Sequence, residues 1–164
     1  MWMQMRLAFL KRAGVLWTLL AVNLACMVGL YLVAHAYGLS YVDAVAGAAA
    51  ARMHIAEMSA VQREAHAWAT ASLDVAFPFA YACLFAGLGL RFFARSGPVL
   101  AWICLLAVPF DLAEGVVQIG ALTGRFDWLA AKPFLTLPKG ALAVFGICVA
   151  MIGWAKDRLA RRRR

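Results

Sequence analysis

The sequence reads as an all-α integral membrane protein, a four-helix bundle with an additional amphipathic helix in the first outer loop. Composition, segment length and the placement of basic residues carry that reading. Of 164 residues, 65% are hydrophobic and 15% charged, against roughly a half and roughly a quarter in soluble domains. A soluble chain of this size has too little interior to hide so much apolar surface. A soluble enzyme, a disordered tail and a secreted disulfide scaffold are therefore poor readings. The net charge is +8, but the basic residues flank apolar runs instead of gathering into a nucleic-acid motif, and that is the topological use of positive charge.

A bilayer core ~30 Å thick requires ~20 apolar residues in a helix. Four segments meet this, near 13–37, 71–92, 98–122 and 134–156, and make residues 1–164 a single transmembrane domain. The first contains no Lys, Arg, Asp or Glu, and it is far longer than the apolar run of about 7–15 residues in a cleaved signal peptide. Ser96-Gly97-Pro98 opens the third, where proline suits a first helical turn. Thr123–Pro133 reads as a polar break before the fourth, with Gly124 as a helix C-cap. Arg6, Lys11, Arg12, Arg91, Arg95, Lys156, Arg158 and the run Arg161–Arg164 all fall on one side of four spans. The positive-inside rule then places both termini in the cytoplasm; the expected location is the cell (inner) membrane. The arginine run holds the last span in place and attracts anionic lipid.

The segment Gly38–Thr70 is too polar to span. Ser40-x-x-Asp43 resembles a helix start with an acid in its first turn. An amphipathic helix is expected over 44–68, with Ile55, Met58, Val61, Ala65 and Trp68 on the apolar arc and Arg52, Ser59, Arg63 and His66 on the polar one. His54, His66, Glu57 and Glu64 lack metal-ligand spacing and read as a solvated face. Cys26, Cys83, Cys104 and Cys148 each fall in a different apolar run and read as small buried residues, with no metal site and no cofactor implied.

Ionisable residues inside the spans carry the functional signal. Asp74, Asp111, Glu114 and Lys139 each fall within about three turns of the outer surface, at ~1.5 Å per residue. Such groups are costly in lipid and normally face a bundle interior with a partner. Asp111, Glu114 and Gln118 form one stripe; Asp74, Pro78 and Tyr81 another; Thr136, Lys139, Ala143 and Gly146 a third. His35 stands near the outer end of the first span. Pro78 and Pro109 leave the carbonyls of Asp74 and Leu105 without a helical donor. Three acids against one lysine leave negative charge in excess, so a carboxyl holding a proton or a further partner is expected.

Asp74-Val-Ala-Phe-Pro-Phe-Ala-Tyr81 followed by Asp111-Leu-Ala-Glu114 resembles a family of small bacterial four-span membrane proteins of unassigned function, which carry D-x-x-F-P-x-x-Y on the second span and D-x-x-E-N on the third. The resemblance covers roughly residues 66–150, and Gly115 stands where that family usually has Asn. The layout is also similar to the EXPERA families of emopamil-binding sterol isomerases and sigma-2 receptor-like proteins. That similarity implies a lipid-like ligand, with Asp74, Asp111 and Glu114 as binding or proton-transfer residues. The expected function is a carboxylate- and lysine-lined pocket, open to the outer leaflet, for an isoprenoid or other lipid-like molecule, with acid–base isomerisation as its enzymatic form. An accessory subunit of a larger membrane complex and a dimeric proton-coupled transporter are the alternatives. Expected partners are membrane lipids, a hydrophobic small molecule and a homodimer mate or larger complex, and no nucleic acid.

Overall fold

The computed structural model describes residues 7–162. Every regular element among them is helical: α1 Ala13–Tyr37, α2 Ala48–Glu57, α3 Ala60–Phe92, α4 Gly97–Leu105, α5 Ala107–Leu122 and α6 Lys132–Arg162, with short 3-10 turns at Ala8–Lys11, Val42–Ala44 and Leu129–Ala131. Four helical stretches, Ala13–Tyr37, Ala60–Phe92, Gly97–Leu122 and Leu129–Arg162, are long and apolar enough to cross a membrane. Trp2 and Arg6, and the last two arginines of the C-terminal run, lie outside the described residues.

Helix α3 is the hub. It packs against α1, α4, α5 and α6, whereas α1 rests mainly on α3 and the N-terminal 3-10 turn. Small residues make the contacts close. Ala82 and Ala86 of α3 are fully buried. The rings of Phe85 and Phe92 lie directly over Gly146 and Gly153 of α6. The seven-residue spacing on both partners, increasing in the same direction, sets these two helices parallel. The buried Gly87 of α3 faces the backbone carbonyl of Leu10, 2.5 Å from where a methyl would sit, so this contact tolerates no side chain.

Three departures from the expected elements have identifiable causes. The third long apolar stretch is two helices, broken at Leu106. Pro109 offers no N–H to the Leu105 carbonyl, and the Leu106 N–H is shared between the Trp102 and Ile103 carbonyls as the first helix tightens at its end. The last helix begins at Lys132, two residues earlier than expected. Pro133 sits in its first turn, where a missing N–H costs nothing. The helix expected over 44–68 is interrupted at Met58-Ser59. There Ser59 and Gln62 form a capping box that starts α3, and α3 runs on without a break through the second long apolar stretch. The interruption shifts the helical phase. Ile55 and Met58 are buried, but Val61 and Trp68 are exposed, and His66, expected in solvent, is fully buried.

The segment from Gly38 to Met58 folds over one end of the helices. Gly38, in the left-handed conformation, ends α1, and the Leu39 N–H returns to the Ala34 carbonyl. The Gln62 amide donates to the Tyr37 and Gly38 carbonyls, tying the start of α3 to the end of α1. Val42, Ile55 and Met58 pack with Val117, Leu122 and Leu129 into one apolar cluster beneath this cap. Arg52 pairs with Asp127 across its rim. The guanidinium hydrogen bond holds the Asp127 carboxyl below its ordinary pKa. The opposite end gathers basic groups: Arg91 donates to the Lys11 carbonyl, and Lys156 lies over the Phe93 ring. Cys26 and Cys104 are buried, while Cys148 is exposed, contrary to the buried role expected of all four.

Candidate functional site

Beneath the cap, α3, α5 and α6 bring ionisable side chains into contact. Lys139 Nζ stands 2.7 Å from Asp111 Oδ1 and 2.9 Å from Glu114 Oε2, so one ammonium bridges both acids of α5. The Tyr81 hydroxyl donates to Asp111 Oδ2 at 2.8 Å. The Thr136 hydroxyl donates to Glu114 Oε1. The three- and four-residue spacings of Asp111, Glu114 and Gln118 on α5, and of Thr136 and Lys139 on α6, put these groups on facing stripes. Asp111 is 3% exposed and Glu114 fully buried.

Two further charges complete the cluster, one from the expected break before the last helix and one from the expected start of the outer helix. Lys132, 2% exposed, donates to the Val45 carbonyl at 2.8 Å and lies 3.8 Å from Glu114 Oε1. It precedes Thr136 and Lys139 by four and seven residues, so it extends their stripe by one turn once Pro133 is read as helical. Asp43, expected in the first turn of an outer helix, instead points inward from the cap. It accepts from Gln118 Nε2 at 2.6 Å and lies 3.7 Å from Lys139 Nζ. Ser40, read as a cap, bonds His54.

Asp74 is half-buried on α3, within electrostatic reach of Asp43, Lys139, Asp111 and Glu114. Among the described residues no side chain hydrogen-bonds or ion-pairs with it. Pro78, one turn on, is buried within an unbroken α3. His35 stays outside this group: it is exposed and stacks on Tyr31. Thr70 and His66 are buried one and two turns before Asp74 on the same face of α3, a four-residue spacing visible in the sequence. Neither ring nitrogen of His66 has a hydrogen-bond partner, and the ring meets Tyr41 edge-on at 4.9 Å between centroids. The Tyr41 hydroxyl donates to the Leu30 carbonyl, and burial lifts its phenol above the ordinary pKa, so it stays a neutral donor.

Four carboxyls therefore meet two lysines. Each oxygen of Asp111 and Glu114 already faces a donor or an ammonium, the arrangement of ionised acceptors. Lys139 stands between these two acids. The uncompensated charge lies on the side of Asp43 and Asp74. That side is also the open one: the Lys139 side chain is 23% exposed and that of Asp43 34%. Comparison with family models, curated proteins and solved structures finds no match to this chain.

Proposed function

We propose that this chain is a multi-pass inner-membrane protein, a four-helix bundle with both termini cytoplasmic, whose capped cluster binds the cationic end of a lipid-like molecule arriving from the outer leaflet. The observation that carries this reading is Asp74. It is an unpartnered carboxyl at the exposed edge of a cluster holding two more acids than lysines. An unpaired carboxylate at membrane depth either takes a proton or recruits a cation. An amine beside Asp74 and Asp43 would supply the missing charge. Its apolar tail would lie along α3, where Phe77 and Tyr81 stack edge to face. Convergence also answers the cost of insertion. Separate charges facing lipid cost about 2.5–3.5 kcal/mol each, and here Asp111, Glu114 and both lysines neutralise one another. Any isomerisation requiring a proton donor would fall to Asp74, because the oxygens of Asp111 and Glu114 are engaged. The gathering of basic residues at the end opposite the cap supports the proposed orientation.

Native mass spectrometry after mild extraction tests the reading. Wild-type protein should carry a bound amphiphile that is not a phospholipid, and Asp74→Asn should release it with the fold intact. Tight adducts of a second protein, with nothing small bound, would favour the accessory-subunit alternative.

A further inference from the structure

A cleft of about 800 Å3 lies at the end opposite the carboxylate cluster, between α1 and α6 across the face of α3. Its wall combines three kinds of side chain. Leu16 and Leu20 of α1 and Leu84 and Leu88 of α3 make it aliphatic. Trp17 of α1 and Trp154 of α6, 70% and 57% exposed, line it as well. Arg91 near the end of α3 and Arg158 and Arg161 near the end of α6 supply positive charge, with Asp157 the one acid in the lining.

That acid is already engaged, since Asp157 Oδ2 accepts from Arg161 Nε at 2.8 Å. Arg91 and Arg158 have no carboxylate within ion-pairing distance among the described residues, and residues 1–6 and 163–164 contain no Asp or Glu that could supply one. Arg91 makes a single long bond, 3.4 Å, to the Lys11 carbonyl. Arg158 rests its guanidinium 5.1 Å above the Trp154 ring, which holds the charge at the cleft's edge. Aliphatic, aromatic and cationic side chains in one cleft match the acyl chain, interface and phosphate of a phospholipid. Arginine is suited to phosphate oxygens because its planar fork donates in pairs.

We propose that this cleft is a binding site for an anionic phospholipid, with the phosphate between Arg91 and Arg158 and an acyl chain along Leu84 and Leu88. The site is separate from the acidic cluster, and its occupant carries the opposite charge.

The test is titration of the purified full-length chain with phosphatidylglycerol, or with phosphatidylcholine of the same acyl chains, read by native mass spectrometry. Wild-type protein should retain phosphatidylglycerol in preference. Arg91→Ala with Arg158→Ala should weaken phosphatidylglycerol about tenfold or more, at roughly 1 kcal/mol per basic residue, and erase the preference. Arg95→Ala with Lys156→Ala removes the same charge from the same end outside the cleft and should leave retention within about twofold of wild type. Leu84→Trp, which fills the aliphatic half without changing charge, should weaken both lipids. Excess inorganic phosphate should not displace the lipid. Equal retention of the two lipids, equal losses in the two charge-removal variants, displacement by phosphate alone, or a second protein chain seated in place of lipid would each overturn the proposal. Because the probe is a phospholipid, Asp74→Asn should leave its retention unchanged, so this site and the acidic one stand or fall separately.

Discussion

Replacing Lys139 by Met is expected to destabilise the protein more than replacing Lys139 by Met and Asp111 by Asn together. Lys139 bridges Asp111 and Glu114 at 2.7 and 2.9 Å. Removing it leaves Asp111 without a cation and Glu114 with only the more distant Lys132, and an uncompensated buried charge costs about 3–5 kcal/mol. The lysine is 23% exposed, so the lower end of that range is expected. The second substitution removes one stranded charge, while the Tyr81 hydroxyl keeps an acceptor in the Asn carbonyl. Glu114 keeps Lys132 and Thr136. A double-mutant cycle on reversible unfolding should give a coupling of about 1–3 kcal/mol. Additive losses would mean that the two residues do not share a network.

Lys132→Met is expected to release the cap. The Lys132 ammonium is buried and holds the Val45 carbonyl at 2.8 Å, joining the start of α6 to the inward-folded segment that carries Val42 and Asp43. Losing a hydrogen bond to a charged group costs about 1.5–3 kcal/mol. Glu114 retains Lys139, so the effect should concentrate in the cap. Hydrogen exchange should show faster amide exchange across residues 39–47, with α3 and α5 little changed. Unchanged protection in that segment would show that its apolar contacts alone hold it, and that Lys132 is not its latch.

These two lysines also show what was legible in the sequence. Lys139 was readable because it stands inside an apolar run, where a charge demands a partner. Lys132 was hidden by Pro133, which reads as a loop residue until its place in a first helical turn is recognised. Asp43 was hidden for a different reason. No periodicity links a residue in a non-helical segment to a cluster on α5 and α6, and only the fold-back between Gly38 and Gly47 brings it inward. His66 was misplaced by a phase error, because one continuous helix over 44–68 puts it on the solvent face. The Ser59–Gln62 capping box resets that phase. It was visible as Ser-x-x-Gln, and once α3 starts there, His66, Thr70 and Asp74 fall on one face at four-residue spacing. The four long apolar helices were legible from length and composition. The break at Leu106 followed from Pro109. His35 lay near the right end of the right helix, but its direction around the helix sends it outward to stack on Tyr31.

The central claim is that the unpartnered Asp74 makes this cluster a cation-binding site and not merely a brace between helices. It is tested most directly in lipid nanodiscs. The thermal stability of wild-type protein and of Asp74→Asn is measured against a long-chain alkylamine, the alcohol of equal length and the fatty acid of equal length. The three probes share a tail and differ only in the charge of the head. The amine alone is expected to stabilise wild-type protein in a saturable way, and Asp74→Asn, near-isosteric and placed where no partner is lost, to abolish that stabilisation while folding normally. Equal shifts with all three probes, or an amine response that survives Asp74→Asn, would contradict it.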